Sequence, residues 1–270
     1  MQSIFDKSNP LLKSFRQSED YFFKNISKRS RNFAGEAVAY ATGVPLADLN
    51  VFYILEREDS LEIILDRGKR VYLEEDLPFV VIIPESFCTS LNNEVLKTKG
   101  YFRKRQSFSM FLDLASTRNS AFDDKMIIQN MNDKLREWMH PLMGAFESTS
   151  KNTLLYTKLH ESAVLRGINF HHFSLYIDKM KKPVSSITLS ICDGIARIDD
   201  VGTLPNFQGR GYGTCLVNYV LSEAKKLGAT YCFLESSESG CSIYQKLGFN
   251  LLFKNNIFTL MNNTTEVSNC

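Results

Sequence analysis

The sequence predicts an α+β (mixed α/β) fold built from two related halves. Residues 85–114 and 235–261 each begin with the Glu that ends an apolar strand, and each continues with a serine-rich start to a short helix, a Lys, a Gly, an aromatic residue and a final apolar strand. Such a repeat indicates one duplicated unit, because solenoids use shorter and more numerous repeats. A polar, non-periodic segment at 115–124 separates the halves, and we therefore predict domains at 1–118 and 119–270.

The second half has the clearest periodicity. Alternate residues are apolar at 171–177 and again at 187–191, which predicts two strands. Asp193–Gly194 then predicts a tight hairpin to a third strand at 195–204. The segment 216–227 has one apolar helical face, and a buried strand, a short helix and final strands follow it. This order predicts a mostly antiparallel sheet flanked by helices.

The composition is typical of a globular protein, and basic and acidic residues are nearly equal in number. Of its 270 residues, 44% are hydrophobic, and 32 Lys and Arg balance 30 Asp and Glu. That balance argues against a partner held by bulk charge, such as nucleic acid or an anionic membrane. There is no apolar run of signal-peptide or membrane-spanning length, and the six scattered cysteines form no metal-binding pair. We therefore expect a cytoplasmic protein with reduced thiols, without a metal, a nucleic-acid partner or a membrane partner.

A loop with glycines at 209, 211 and 213 leads directly into the predicted helix. Glycine permits positive φ and lets a ligand approach backbone N–H groups, while a helix N-terminus favours an anion. Arg210 adds a cation, so a pyrophosphate is the ligand that fits best. The segment lacks the Gly-x-x-x-x-Gly-Lys-Ser/Thr pattern of a P-loop. A dinucleotide site is the alternative, because Glu235 ends the next strand where a ribose-binding acid would lie, although the spacing is Gly-x-Gly-x-Gly.

These residues resemble the GNAT superfamily of N-acetyltransferases. Gln208–Gly213 is similar to its cofactor signature Gln/Arg-x-x-Gly-x-Gly/Ala, and Val201–Pro205 resembles the end of its bulged fourth strand. Leu234-Glu235 and Ile243–Phe249 resemble its second cofactor motif. The clear match covers residues 125–261, and the first half resembles the diverged N-terminal copy of tandem members. The resemblance implies two GNAT-like domains, each a mostly antiparallel, centrally splayed mixed sheet flanked by helices.

The resemblance also implies an activity, acetyl-CoA-dependent transfer of an acetyl group to a primary amine of an unidentified acceptor by direct attack. Acetyl-CoA would be the co-substrate, with its pyrophosphate on the amides of 208–214 and its pantetheine arm along 201–204. Backbone N–H groups near Thr203–Leu204 would support the oxyanion. The implied cofactor-binding residues are Val201, Gly202, Thr203, Gln208, Gly209, Arg210, Gly211, Tyr212, Gly213, Thr214, Ser236, Ser239 and Tyr244.

Two catalytic residues follow from the resemblance. Tyr244 is the expected proton donor to the departing thiolate. Relatives with a strand-four glutamate carry it eleven residues before the glutamine, where this chain has Arg197. Asp199, on the same side of an ideal strand, is the first choice for the general base, and Glu235 is the second. The alternative function is a non-catalytic acyl-CoA-binding or scaffold protein, which the missing glutamate favours and the intact loop disfavours.

The first half has no glycine-rich loop of this kind. Residues 63–72 read as a hairpin around Arg67-Gly68, and an apolar strand follows at 77–85 without an intervening helix. Aligning the glycines that follow the two short helices places Leu96 opposite Tyr244. We therefore expect this half to bind no cofactor and to act as a structural domain or as one wall of the acceptor cleft.

Overall fold

The structure is a computed structural model and describes residues 5, 8–56, 61–116, 126–177 and 180–261. The helices in these ranges are α1 (Pro10–Ile26), α2 (Leu61–Leu73), α3 (Ser90–Thr98), α4 (Leu135–Ala145), α5 (Ser150–Leu165), α6 (Tyr212–Lys226) and α7 (Glu238–Lys246). The strands are β1 (Arg29–Phe33), β2 (Ala37–Ala41), β3 (Asn50–Ile54), β4 (Val80–Pro84), β5 (Tyr101–Asp113), β6 (Met126–Asn130), β7 (Phe170–Ile177), β8 (Ser185–Cys192), β9 (Ile195–Thr203), β10 (Tyr231–Ser237) and β11 (Asn250–Leu260). None of the described helices is long and apolar enough to cross a membrane.

The described chain forms two compact units, and neither unit is continuous in sequence. The first unit contains residue 5 and the described parts of 27–109 and 253–261. The second contains the described parts of 6–26, which include α1, and of 110–252. Aromatic side chains hold α1 in the second unit, since the Phe22 ring stacks on Phe170 with centroids 5.6 Å apart. The expected domain boundary between residues 118 and 119 lies outside the described residues.

In the first unit, β1, β2 and β3 pair antiparallel, whereas β3 and β4 pair parallel. The C-terminal part of β11 pairs antiparallel with β4, with Ile257 opposite Ile82. A parallel pair needs a crossover connection, and α2 provides it. The apolar core of this unit lies between the sheet and the helices.

The hairpin predicted around Arg67-Gly68 is wrong, because this segment lies inside helix α2. The buried residues of α2 recur every three or four positions, which is the helical period: they are Leu61, Ile64, Leu65, Gly68, Val71 and Tyr72. A Cβ atom at Gly68 would lie 2.3 Å from the Phe52 ring. The glycine therefore permits a close approach of α2 to β3 rather than a turn.

In the second unit, the strand order is β10-β9-β8-β7-β6. The pair β9–β10 is parallel and the other pairs are antiparallel, so the sheet is mixed. Asp193 and Gly194 connect β8 to β9 with φ angles of 49° and 72°. Two consecutive positive φ angles are typical of the tight hairpin turn that the sequence predicts.

The strands β9 and β10 separate at their carboxyl ends. Their pairing extends as far as Ile198 opposite Leu234, and both strands continue beyond this pair. On the other side of β9, residues 199–202 lie opposite only Ser186–Thr188 of β8, so β9 contains one extra residue. A bulge of this kind bends a strand and increases its twist. A cleft therefore opens between the ends of β9 and β10.

Candidate active site

A cavity of about 800 Å³ lies in this cleft, within the second unit, between β9, β10, α7 and the N-terminus of α6. Twelve of the fourteen residues predicted for the site line it: Asp199, Val201, Thr203, Gln208, Gly209, Gly211, Tyr212, Gly213, Thr214, Ser236, Ser239 and Tyr244. Glu235, the second choice for the base, lines it as well. Residues from three separate segments of the sequence thus meet at one cavity.

Gly202 and Arg210 are the two predicted residues that do not line the cavity. A Cβ atom at Gly202 would lie 2.8 Å from Cδ2 of Leu142, so this glycine allows α4 to pack closely on β9. The guanidinium carbon of the exposed Arg210 lies 5.6 Å from the ring centroid of Phe207. Its cation therefore contacts an aromatic face of the loop rather than the cavity.

The glycine loop and the start of α6 form one wall of the cavity. Gly209 and Gly211 have φ angles of 71° and 82°, and a Cβ atom at either position would meet no atom within 4 Å. The first backbone hydrogen bond of the helix runs from the N–H of Cys215 to the carbonyl of Gly211 at 2.9 Å. The N–H groups of residues 212–214 precede this bond, so they have no carbonyl one helical turn earlier. Such a helix end favours an anion.

Two of the backbone amides assigned to ligand binding are engaged within the protein. The N–H of Gln208 donates to the carbonyl of Pro205 at 3.2 Å, and that of Leu204 donates to the carbonyl of Val184 at 2.9 Å. The expectation that these two amides face a ligand is therefore wrong. Because hydrogen bonds alternate along an antiparallel pair, the N–H of Thr203 points away from β8, towards the cleft.

Tyr244 lies on α7 and lines the cavity. The helix begins where the Ser237 hydroxyl accepts a hydrogen bond from the N–H of Gly240 at 3.2 Å. The Tyr244 ring packs edge-on against Phe249, with centroids 5.8 Å apart. Burial, aided by the nearby charge of Asp199, raises the pKa of Tyr244 to about 12. The phenol therefore keeps its proton throughout the neutral pH range.

Asp199 forms an ion pair with Arg197. The Nε atom of Arg197 lies 3.1 Å from both carboxylate oxygens of Asp199, and the arginine side chain is only 1% exposed. Burial raises the pKa of Asp199 to about 6, although the charge and hydrogen bonds of Arg197 act in the opposite direction. The predicted base is thus in the cleft but serves as the counter-ion of a buried arginine.

Asp200 also lines the cavity, although the sequence pattern did not predict it as a site residue. In an ideal strand it would face away from Asp199, but its φ of 55° lies at the bulge of β9. Its Oδ1 accepts a hydrogen bond from the Tyr156 hydroxyl at 2.9 Å, and its Oδ2 accepts one from the Thr188 hydroxyl at 2.8 Å. Burial, reinforced by the charge of Asp199, raises the pKa of Asp200 to about 7 despite these two donors.

Metal-binding geometry does not occur in the part of the chain that the structure describes. Within the described ranges, no group of three or more His, Cys, Asp or Glu residues is positioned to hold a metal ion. The five described cysteines are free thiols: Cys88, Cys192, Cys215, Cys232 and Cys241. The cavity is lined by carboxylates, hydroxyls and backbone amides.

Comparison with known families identifies this part of the chain. Residues 132–249 match the model of the acetyltransferase (GNAT) family. This segment is a GNAT acetyltransferase domain. The match confirms the family and the enzyme class predicted from the glycine loop and the Tyr244 motif, and it assigns acyl transfer to the GNAT domain.

A curated relative shares part of this sequence. CgeE of Bacillus subtilis (strain 168), described as an uncharacterized N-acetyltransferase, is 43% identical over 56 residues. The matched region is 20% of this chain and 22% of CgeE, so the chain matches about a fifth of that relative's length.

Solved structures share the fold over most of the chain. A GCN5-related N-acetyltransferase from Kribbella flavida has a TM-score of 0.64 at 15% identity and covers 92% of this chain and 95% of its own. A functionally unknown conserved protein from Staphylococcus epidermidis ATCC 12228 has a TM-score of 0.67 at 16% identity, with coverages of 88% and 97%. A tandem GNAT protein from the clavulanic acid biosynthesis pathway has a TM-score of 0.56 at 13% identity, with coverages of 86% and 83%. These similarities confirm the mixed α/β GNAT fold.

Proposed function

We propose that this protein transfers an acetyl group from acetyl-CoA, its co-substrate, to a primary amine by direct attack. Membership of the GNAT family supports acyl transfer in general. One observation supports acetyl-CoA as the acyl donor and an amine as the acceptor. The cleft between β9 and β10 has the amide-rich start of α6 on one wall and the protonated phenol of Tyr244 on another. The acceptor amine belongs to a small molecule or a protein.

The residues of the cleft fit a coenzyme A molecule. The amides of Gly209–Thr214 would hold the pyrophosphate, because the glycines leave that loop open and the helix end favours negative charge. The pantetheine arm would lie along Val201–Thr203 as an added strand, with the Thr203 N–H as a backbone donor. Ser236 and Ser239 line the opposite wall.

Acetyl-CoA supplies a thioester, whose C–S bond breaks as the new C–N bond forms, and CoA leaves as a thiolate. Tyr244 donates its phenolic proton to the sulfur, and solvent returns a proton to Tyr244 when the product amide nitrogen releases one. The Thr203 N–H would stabilise the oxyanion in place of the engaged Leu204 N–H. The acceptor's ammonium proton must first pass to a carboxylate of the β9 bulge, for which Asp199 is the residue predicted from the sequence.

A non-catalytic acyl-CoA-binding or scaffold protein is the second candidate. It is favoured by Arg197 in place of the glutamate of relatives and by the Asp199–Arg197 ion pair. The deciding experiment incubates the protein with isotope-labelled acetyl-CoA and a panel of primary amines, from alkylamines to lysyl peptides. Mass spectrometry then detects acetylated products, and a thiol reagent detects free CoA. Acetylated amine supports the enzyme, whereas saturable CoA binding without any acetylated amine supports the binder.

The dinucleotide alternative has a simpler test. A ligand that binds only the folded protein raises its melting temperature. We expect CoA to raise the melting temperature and NAD to leave it unchanged. Stabilisation by NAD but not by CoA would overturn the proposal.

We also propose that the domain predicted at 119–270 is catalytic and that the domain predicted at 1–118 binds no cofactor, although α1 belongs to the second compact unit and residues 253–261 to the first. In the first unit, the short helix α3 carries Leu96 where α7 carries Tyr244, and Leu96 is buried in the apolar core. A leucine has no proton to donate to a thiolate. We further propose a cytoplasmic location, which the free thiols of the described cysteines support. The balanced charge supports the absence of a nucleic-acid or membrane partner held by bulk charge.

A further inference from the structure

We infer that Asp200, supported by the buried His160, is the group that takes the proton from the acceptor amine. This inference rests on the proposed function and adds to it a catalytic carboxylate and a positioning histidine. Asp200 lines the cavity, whereas His160 lies on α5 and is fully buried. Their side chains approach to 3.7 Å, between Nε2 of His160 and Oδ2 of Asp200.

A buried hydrogen-bond network fixes the tautomer of the neighbouring His172. The backbone N–H of His172 donates to Oδ1 of Asn132 at 2.9 Å, so this atom is an oxygen acceptor. The amide nitrogen of Asn132 donates to the carbonyl of Phe170 at 2.8 Å, consistent with that orientation. Nδ1 of His172 lies 2.8 Å from the same Oδ1 atom. It must therefore carry a hydrogen and donate it.

The tautomer of His160 follows from that of His172. Burial lowers the pKa of both rings, that of His160 to about 3, so both are neutral near pH 7. Nε2 of His172 then has no hydrogen and accepts one from Nδ1 of His160 at 2.8 Å. Nε2 of His160 is left as an acceptor, and it has no hydrogen-bond partner among the residues that the structure describes. A buried lone pair thus faces a carboxylate oxygen of Asp200.

A proton on Oδ2 of Asp200 would face the Nε2 lone pair of His160, and the 3.7 Å between the two atoms would shorten to form a hydrogen bond. Tyr156 and His160 face this carboxyl group from α5, Thr188 from β8, and Arg197 and Asp199 from β9 itself. The tyrosine and threonine hydroxyls favour the carboxylate, as does the charge of Arg197. Burial and the charge of Asp199 favour the protonated acid. These opposing effects place the pKa of Asp200 at about 7, which suits a base working at neutral pH.

In the proposed step, an N–H bond of the acceptor ammonium breaks and its electron pair stays on nitrogen. The proton moves to Oδ2 of Asp200, and the new O–H group faces Nε2 of His160, which must approach from the 3.7 Å of this structure to accept a hydrogen bond. The neutral amine is then able to attack, and Asp200 later releases the proton to solvent. Asp199 instead stays the counter-ion of Arg197, with both its oxygens at 3.1 Å from Nε. The base is thus one residue after the one predicted from the sequence.

The histidine tautomers provide a test that needs no substrate. Long-range ¹H–¹⁵N NMR spectra of the full chain with ¹⁵N-labelled histidine distinguish the Nδ1–H from the Nε2–H tautomer. We expect both His160 and His172 to be neutral Nδ1–H tautomers between pH 6 and 8. We also expect the His160 Nε2 resonance to move as Asp200 gains its proton, and this shift to be absent in Asp200→Asn. An Nε2–H tautomer at His160 would overturn the inference.

The pH profile of kcat/KM tests the same network during turnover of acetyl-CoA with an amine that the panel identifies. We expect His160→Phe to move the acidic limb of the profile to lower pH, because protonated Asp200 loses Nε2 of His160 as its hydrogen-bond acceptor. Tyr156→Phe should move the limb to higher pH, because the carboxylate loses a donor. The matched control Tyr176→Phe removes a hydroxyl that donates to Glu137 at 2.7 Å, outside this network, and should leave the limb in place.

Asp200→Asn should lower kcat about 10²-fold, the effect of losing a general base, while CoA binding persists. If His160→Phe and Tyr156→Phe moved the acidic limb in the same direction, the inference would be overturned. A wild-type kcat in Asp200→Asn would overturn it as well. Wild-type protein that binds acetyl-CoA but acetylates no amine would instead overturn the proposed function, and with it the catalytic role of Asp200. The NMR titration alone would then test whether His160 accepts a hydrogen bond from protonated Asp200.

Discussion

Replacement of Asp200 by Asn should change how the stability of the protein depends on pH. In the folded state the pKa of Asp200 is about 7, against an ordinary value of 3.8. Between these values the folded chain binds a proton that the unfolded chain has lost. Stability therefore falls as the pH rises through this window, by about 1.4 kcal/mol per pH unit. Between pH 5 and pH 8, Asp200 should therefore lower the unfolding free energy of the wild type by about 3 kcal/mol.

Urea unfolding of both proteins at pH 5, 6, 7 and 8 measures this effect. Asn has no carboxylate, so the unfolding free energy of Asp200→Asn relative to wild type should increase by about 3 kcal/mol across the range. The lost hydrogen bonds of Tyr156 and Thr188 add a constant offset. Asp133→Asn, which removes an exposed carboxylate from the same unit, is measured alongside as the matched control. A pH-independent difference for Asp200→Asn would refute the reasoning.

Three further substitutions have expected outcomes. Tyr244→Phe should lower kcat about 10²-fold in the thiol-release assay with little change in the KM for acetyl-CoA, and an unchanged kcat would exclude Tyr244 as the proton donor. Gly211→Ala forces a side chain into φ 82° and should weaken CoA binding about tenfold by calorimetry, whereas Gly167→Ala, at φ 75° at the end of α5, should bind CoA normally. Gly68→Val should lower the urea-unfolding free energy by about 1–3 kcal/mol, because its Cβ would clash with the Phe52 ring, and wild-type stability would contradict this packing.

Local patterns predicted the second unit well. Alternation of apolar residues, the Asp193-Gly194 turn and the helical face after the glycine loop are each encoded within a few neighbouring residues. The loop itself is equally local, since Gly209 and Gly211 adopt the positive φ angles that only glycine takes readily. The Tyr244 motif was recognisable for the same reason, because Ile243–Phe249 is contiguous in the sequence and resembles a family motif.

Features that depend on distant partners were not predicted. The glycine of α2 reads as a turn until the Phe52 ring packed against it is known. Helix α1 joins the second unit through aromatic partners far along the chain, such as Phe170. Asp200 was missed because strand alternation turns it away from Asp199, and the bulge that reverses this appears only in the register with β8.

Titration calorimetry with CoA tests the central claim, that the amides at the start of α6 hold the pyrophosphate in the cleft. We expect saturable binding at a single site per chain, and far weaker binding of pantetheine, which lacks the pyrophosphate. The Gly211→Ala variant should lose affinity for CoA while Gly167→Ala keeps it. Folded protein that gives no saturable heat with CoA, or that binds pantetheine as tightly as CoA, would contradict the assignment of this cleft.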